Sequence, residues 1–283
     1  MSVAVVTDST SDIEQGQIEG IHVVPLHLHF GDEVFEDGVN LSKADFWQRM
    51  QRILSDGGEL PTTSQPSPGA FRDVYAEIAA AEGVTEIVSI HISGKLSGTV
   101  NAARQGAGLL EHDINVEIVD TLSASLGVGW AAEAALEAAQ AGATAAEAAQ
   151  AARETAARVR VLVFVETLDY LLRGGRIGRA RHLAGRLLRM RPLLELVDGE
   201  ISDIERPRTR KKALDRLFAQ IMSEGQPERV GVLHGASAGD AGALVQRISD
   251  RWAGMPVETV LSSPVIGAHV GPGTVGATVM RSA

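Results

Sequence analysis

The sequence predicts an α/β protein with two α/β domains, and two patterns lead to this prediction. Short apolar runs alternate with longer amphipathic segments along most of the 283 residues, which is typical of layered α/β proteins. A later stretch differs, because Leu193–Val197 and Glu200–Ile201 flank Asp198-Gly199, a pair that tolerates the positive φ angles of a hairpin turn. A hairpin is antiparallel, whereas repeated βα units favour a parallel sheet. We therefore expect an N-terminal domain over residues 1–160, with a mostly parallel sheet and flanking helices, and a C-terminal domain over 161–283, with a mixed sheet that contains the hairpin.

The individual elements follow from the same patterns. The apolar runs predict strands at Val3–Thr7, Ile21–Leu28, Glu86–Ile92, Val116–Asp120, Val159–Val165, Arg229–His234 and Val257–Leu261. The amphipathic segments predict helices at Lys43–Leu54, Gly69–Ala81, Ser97–Leu110, Ser125–Arg158, Arg208–Met222 and Ala241–Ala253. The longest of these is rich in alanine, the best helix former, and we expect it to be two helices that are separated near Gly142.

Composition excludes several classes of function. The formal net charge of −10 disfavours nucleic acid, a polyanion, as the main partner. Because the chain contains no cysteine, thiol nucleophiles, disulfides, iron–sulfur clusters and cysteine-type zinc sites are excluded. Apolar stretches fall short of the ~20 residues that a membrane span needs, and the first residues lack the pattern of a signal peptide. We therefore expect a cytoplasmic protein without stable membrane insertion.

One pattern suggests an alternative function as a serine hydrolase of lipid esters. Gly235–Gly239 fits G-x-S-x-G between a predicted strand and a predicted helix, which is the context of a nucleophile elbow. The nucleophile would be Ser237, and Asp250 and His269 follow it in the chain order of an α/β-hydrolase. A turn of small residues between strand and helix is also what any βα unit needs, so the competing interpretation is an ordinary turn.

Patterns for cofactors and metals are weaker. Gly271–Gly276 matches G-x-G-x-x-G, but only seven residues follow it, too few for the helix that would hold a dinucleotide phosphate. Gly127–Ala132 fits a relaxed form but begins too far from the preceding strand. His27 and His29 alternate along a predicted strand and share one face, yet a third ligand at a convincing spacing is lacking. We expect no cofactor and no metal.

A stronger signal comes from loops rich in hydroxyl groups. They lie near predicted strand ends and span Thr7–Asp12, Pro61–Ser67, Ser93–Thr99 and Asp120–Ser125. In open α/β sheets, loops at the carboxyl ends of strands line the ligand crevice. Hydroxyls and free amides at helix starts are neutral donors for an anion, although each loop alone is also a good helix cap. Several such loops at one edge predict an anion-binding site without paired carboxylates for catalysis.

These segments resemble the DegV family, whose fatty-acid-binding members are called FakB proteins. The matching stretches keep the family order and cover essentially the whole chain, and the most specific are the threonine-serine-glutamine-proline and double-glycine arginine stretches. They are Val5–Asp12, Pro61–Ser67, Ser93–Thr99, Asp120-Thr121, Leu172–Ile177, Arg210–Ala213 and Ile266–Gly273.

The resemblance implies a protein that holds one long-chain fatty acid, such as palmitate or oleate, between two domains. It implies that Thr63 and a serine of the loop around Gly94 donate hydrogen bonds to the carboxyl group, and that His269 belongs to the same network. Many family members have two serines before the loop glycine, whereas this chain has Ser93 alone there, which leaves open whether Ser93 or Ser97 is the contact. Whether the imidazole of His269 is protonated is also open.

The resemblance further implies a carrier rather than an enzyme. In bacteria, such a carrier presents the bound acid to a fatty acid kinase, which forms an acyl phosphate for phospholipid metabolism. Basic residues are candidates for contact with an acidic surface of that kinase, although a basic run is usually the solvated start of a helix. The candidates are Arg173, Arg176, Arg206 and Arg208.

Overall fold

The structure, a computed structural model, describes residues 3–111, 114–183, 190–223 and 225–282. The strands in these ranges are β1 (Val3–Asp8), β2 (Ile21–Val24), β3 (His27–Phe30), β4 (Glu33–Glu36), β5 (Thr62–Ser64), β6 (Glu86–His91), β7 (Asn115–Asp120), β8 (Val159–Phe164), β9 (Leu193–Val197), β10 (Glu200–Glu205), β11 (Arg229–His234), β12 (Val257–Leu261) and β13 (Val275–Met280). The α-helices are α1 (Lys43–Asp56), α2 (Pro68–Glu82), α3 (Thr99–Ala107), α4 (Leu126–Gln140), α5 (Ala145–Arg158), α6 (Asp169–Arg173), α7 (Arg210–Met222), α8 (Ala238–Arg251) and α9 (Pro264–Val270).

The chain forms two compact units, and their division is not contiguous in sequence as the predicted one is. The first unit combines residues up to Asn40 with Thr63–Ala157, and the second combines Leu41–Thr62 with the chain from Arg158 onward. The segment Leu41–Thr62 packs in the second unit through the buried aromatic face of α1. Its Trp47 donates from Nε1 to the carbonyl oxygen of Ser262 at 3.2 Å.

The first unit is built on a four-stranded parallel sheet in the order β2-β1-β6-β7. Helices α2 and α3 cover it through a core that includes Phe71, Tyr75 and Ile87, and α4 packs against β1 and β6. Because all four strands are parallel, their carboxyl ends meet at one edge, which is where ligands bind in open α/β sheets. A separate three-stranded sheet has the order β4-β3-β5.

The second unit is built on a six-stranded mixed sheet in the order β10-β9-β8-β13-β11-β12. Its β11 and β12 are parallel, and its other neighbours are antiparallel. The predicted hairpin is confirmed as β9–β10, with φ angles of +50° at Asp198 and +79° at Gly199. The predicted fold class, a parallel sheet followed by a mixed sheet with a hairpin, is thus confirmed.

Most predicted elements are confirmed to within a few residues, including the break at Gly142 between α4 and α5. The single strand predicted over Ile21–Leu28 is wrong, because the chain interrupts pairing at Pro25, which has no N–H to donate, and continues as two strands. Sequence analysis missed β4, β5, α6, α9 and the fully buried β13. In the part of the chain that the structure describes, no helix has the length and apolarity to cross a membrane.

Candidate functional site

Three polar residues end the strands at the ligand edge of the parallel sheet. Asp8, His91 and Asp120 are the last residues of β1, β6 and β7; Asp8 and Asp120 belong to predicted hydroxyl loops, and Ile92 alone separates His91 from the loop that begins at Ser93. The main chain ties the last two loops together, since the Ser93 amide donates to the carbonyl oxygen of Ser123 at 2.9 Å. Three of the four predicted hydroxyl loops thus lie at this edge, whereas the loop Pro61–Ser67 includes β5 of the separate three-stranded sheet.

Ser93 and Gly94 form the turn that follows β6. Ser93 is fully buried, and its Oγ accepts a hydrogen bond from the Lys95 amide at 3.2 Å. The Gly94 amide donates to both carboxylate oxygens of Asp120 at 3.2 Å, so this N–H is already hydrogen-bonded within the protein. A Cβ at Gly94 would lie 2.8 Å from Asp120 Oδ2, which explains why this position is glycine: the carboxylate approaches the backbone closely.

Ser97 and the predicted carboxyl contact Thr63 lie on two loops that meet. Ser97 is partly buried, and its Oγ is 2.8 Å from the hydroxyl of Thr99 at the start of α3. Thr63 is partly buried on the short strand β5. The loops touch where the side-chain amide of Gln65 lies against Gly98, with Nε2 2.9 Å from the position of a Cβ there. Thr63, Ser93, Gly94 and Ser97 therefore all belong to the first unit.

His269 belongs to the second unit and lies on α9. Its ring packs against the double-glycine arginine stretch, since a Cβ at Gly174 would lie 2.7 Å from the ring Cε1. Burial, with a smaller contribution from the positive charge of Arg176, lowers the pKa of His269 to about 4. Without a bound ligand, this lowered pKa favours the neutral imidazole at pH 7, which offers one N–H donor.

The four candidate docking arginines also belong to the second unit but differ in their surroundings. Arg173 and Arg208 are exposed. Arg206 is exposed as well, although its guanidinium forms an ion pair with Asp203 at 2.6 Å. Arg176 is partly buried and donates to the carbonyl oxygen of Gly174 at 2.6 Å, so it supports the His269 environment.

Ser237, the alternative nucleophile, lies in the turn between β11 and α8. Its hydroxyl accepts from Arg210 Nη2 at 2.5 Å and donates to Asp240 Oδ2 at 3.2 Å. Asp250, the proposed third member of a triad, accepts from Gln246 at 2.8 Å. The hydroxyl of Ser237 is thus held by an arginine and a carboxylate rather than by a histidine base, which is not the arrangement of a hydrolase.

The histidine pair on β3 has local partners. His29 Nε2 lies 2.9 Å from the hydroxyl of Ser64, and His27 lies 4.0 Å from Glu36. Among the described residues, no group of three or more potential ligands is placed to hold a metal ion. His29 therefore supports β5, the strand that carries Thr63.

Several site residues escaped sequence analysis. Asp120 was recognised only as part of a hydroxyl loop, and its bond to Gly94 requires knowing that β6 and β7 are neighbours. Arg210 was one of a basic run, yet it forms an ion pair with Glu166 and donates to the carbonyl oxygen of Gly273 at 2.8 Å. This bond holds the loop that follows His269.

Comparisons with known proteins agree with this geometry. The family described as "Uncharacterised protein, DegV family" matches residues 2–282. A DegV domain-containing protein of Streptomyces coelicolor is 41% identical over 282 residues, which are 98% of each chain. The solved structure of a DegV family protein from Thermus thermophilus, described by its fatty acid binding, has a TM-score of 0.87 at 33% identity and covers 100% of both chains. DegV from Bacillus subtilis, described as a fatty acid binding protein, has a TM-score of 0.89 at 30% identity and covers 99% of this chain and 100% of its own. With its strand-end loops, its sheets and nearly its full length matched in this way, the chain belongs to the DegV family.

Proposed function

We propose that this protein binds a long-chain fatty acid and holds its carboxyl group at the hydroxyl loops of the parallel sheet. Two solved relatives at 33% and 30% identity are described as fatty acid binding, and each is matched over its full length. The observation that carries the proposal is the contact between Gln65 and Gly98, which places the loop of Thr63 beside the loop of Ser93 and Ser97. Hydroxyl groups on both loops are suitable donors for a carboxylate.

The role of His269 in the same carboxyl network is part of the proposal and rests on the family resemblance. The neutral imidazole would contribute one N–H donor, and a bound carboxylate would favour its protonation. Which of Ser93 and Ser97 contacts the carboxyl group is best decided by testing the two alanine variants separately. Buried Ser93 and partly buried Ser97 differ enough in surroundings for their effects to separate.

The alkyl chain would supply most of the affinity. Burying about fourteen methylenes at ~0.8 kcal/mol each contributes roughly 11 kcal/mol before the costs of association and of ordering the chain. The head group then determines orientation and the preference for an acid over an alcohol, because each hydrogen bond to a charged group contributes about 1.5–3 kcal/mol. Head-group variants are therefore best judged by the ratio of affinities for palmitic acid and hexadecanol.

The direct test is native mass spectrometry of protein purified from cells, followed by extraction of the bound lipid. We expect an additional mass that corresponds to a fatty acid, and we expect Thr63→Ala or His269→Ala to weaken uptake of palmitate about tenfold or more. Ser237→Ala is the matched control, because its hydroxyl is held by Arg210 and Asp240. Protein that carries no acyl mass and takes up neither palmitate nor oleate would refute the proposal.

The finer part of the proposal is that the bound acid is presented to a fatty acid kinase in the cytoplasm, the protein itself acting as carrier. Exposed Arg173 and Arg208 are the candidates for contact with an acidic kinase surface. Charge reversal at both should abolish acyl phosphate formation in a reconstituted assay and leave palmitate uptake intact. Arg153→Glu, on the first unit, is the control for a general effect of charge. Loss of uptake in the Arg173/Arg208 double variant would overturn this division of roles.

A further inference from the structure

A chain of four polar side chains runs through the interior of the first unit. The hydroxyl of Tyr75 lies 2.8 Å from Ser89 Oγ, and Ser89 Oγ lies 2.7 Å from His91 Nε2. His91 Nδ1 lies 3.0 Å from Asp8 Oδ2. All four side chains are fully buried, and the chain connects α2 with the last residues of β6 and β1.

The hydrogen bonds of this chain can be oriented from chemistry. The carboxylate of Asp8 only accepts, so His91 donates from Nδ1 and its Nε2 accepts from the Ser89 hydroxyl. Ser89 in turn accepts from the Tyr75 hydroxyl, which keeps its proton because burial raises the pKa of Tyr75. Each buried group then has a partner, as low-dielectric surroundings require. The order of donation is Tyr75 to Ser89 to His91 to Asp8.

Serine, histidine and aspartate in this order are also the elements of a hydrolase triad. Two observations exclude that role here. Ser89 is 0% exposed, so a substrate cannot reach its oxygen, and that oxygen already accepts from Tyr75. The four hydrogen-bonded side chains therefore have a supporting role, which depends on the backbone groups that Asp8 binds.

Asp8 binds the backbone that leads into the loop of Ser93 and Gly94. Its Oδ2 accepts from the Ile92 amide at 3.2 Å, and its Oδ1 accepts from the Thr10 amide at 3.0 Å. On the opposite side of the same backbone, the carbonyl oxygen of His91 accepts from the Thr121 hydroxyl at 2.8 Å. The residues immediately before Ser93 are thus fixed by Asp8 at the end of β1 and by Thr121 in the loop that follows β7.

We infer that Asp8 and His91 are positioning residues for the carboxyl group of the fatty acid. They set the direction in which the polypeptide backbone leaves β6, and therefore the positions of Ser93 and Gly94. This inference rests on the proposed function, since it assigns the loop a carboxyl ligand. It adds residues that do not touch the ligand and whose loss should affect the head group while leaving the alkyl chain alone.

The test compares Asp8→Asn with two controls. An asparagine amide can keep the Thr10 contact with Oδ1, but its NH₂ group then faces the N–H of Ile92, so the hydrogen bond from Ile92 is lost. Thr7→Val is the first control, because it removes a fully buried hydroxyl on the same strand that donates to the carbonyl oxygen of Ile90 at 2.9 Å. Ser89→Ala is the second control, because it breaks the chain and leaves the Asp8–Ile92 bond in place.

Two measurements are made on each variant. The first is the ratio of affinities for palmitic acid and hexadecanol, which we expect to fall on the order of tenfold in Asp8→Asn and to stay near the wild-type value in both controls. The second is hydrogen exchange at the amides of Ile92 and Ser93, which we expect to be faster only in Asp8→Asn. A purely structural role would lower the melting temperature and both affinities together and leave their ratio unchanged.

The outcomes separate this inference from the proposed function. Wild-type protein that binds neither ligand would refute the proposed function, and faster exchange of Ile92 and Ser93 in Asp8→Asn alone would still support the positioning of the loop. An Asp8→Asn variant with the wild-type affinity ratio and wild-type exchange would overturn the inference. A drop of equal size in Thr7→Val or in Ser89→Ala would overturn it as well, since both changes leave the Asp8 contacts with Ile92 and Thr10 intact.

Discussion

The packing of His269 against Gly174 leads to a prediction that can be worked through from the structure. Gly174 has an ordinary φ of −70°, so the backbone accepts alanine. A Cβ there would lie 2.7 Å from Cε1 of the imidazole, closer still to Nδ1, and 3.2 Å from the carbonyl oxygen of Tyr170. The ring must move by roughly an ångström to restore van der Waals distance, and overpacking of this kind typically costs about 1–3 kcal/mol.

We expect Gly174→Ala to lower the free energy of unfolding by that amount, which corresponds to about 2–4 °C in melting temperature for each kcal/mol. Because the ring is displaced, palmitate affinity should fall as well. Gly242→Ala is the matched control, since nothing lies within 4 Å of its Cβ and alanine is the better helix former inside α8. Calorimetry and a palmitate titration check both variants. A Gly174→Ala protein that equals the control in both measurements would show that the ring does not pack there.

Three further predictions concern the same two units. The pKa of His269 is about 4 in the folded protein and 6.5 in the unfolded chain, so the unfolded chain binds more protons between these values. The wild type should therefore lose up to about 3 kcal/mol of stability relative to His269→Gln as pH falls from 6.5 to 4, as measured by urea unfolding at each pH. Identical pH profiles of the two proteins would contradict this. Arg210→Lys cannot reproduce the fork that binds Glu166, Asp240 and Gly273, so calorimetry should show a loss of about 1–3 kcal/mol, larger than for Ser237→Ala; equal losses would argue against the network. Gly98→Ala places a Cβ 2.9 Å from the end of the flexible Gln65 side chain, which can move, so the free energy of unfolding should change by under about 1 kcal/mol. Palmitate binding should weaken, because the contact between the loop of Thr63 and the loop of Ser97 is disturbed. Unchanged binding would show that Gln65 does not order these loops.

The edge that carries the hydroxyl loops could be predicted because it depends on short-range patterns. Apolar strands of five or six residues, each followed by serine, threonine or aspartate, place polar groups at the carboxyl end of a parallel sheet whatever the order of its strands. The residues that support those loops could not be predicted in this way. Asp8 and His91 are 83 positions apart, and their contact depends on β1 and β6 being neighbours in the sheet.

The central strand of the second sheet shows a different limit. β13 was overlooked because Gly271–Gly276 breaks the apolar pattern that marks other strands, and because the stretch imitates a nucleotide motif. Its Gly276 is nevertheless required by packing, since a Cβ there would lie 2.7 Å from the carbonyl oxygen of Leu162 on β8. Close approach between strands thus removed the very side chain on which the sequence pattern depends.

Glycines at the candidate site follow the same physical logic. A glycine in a loop is usually explained by a positive φ angle, but Gly98 and Gly174 have φ angles of −74° and −70°, which any residue adopts. At both positions a Cβ would meet a neighbouring side chain, at 2.9 Å from Nε2 of Gln65 for Gly98 and at 2.7 Å from Cε1 of His269 for Gly174. These two glycines therefore mark contacts with a side chain of another segment, whereas Gly175, Gly271 and Gly273 in the family stretches have φ angles above +70°. The motifs could therefore be recognised from the sequence but their partners could not, because only the fold identifies the side chain that lies against each of these glycines.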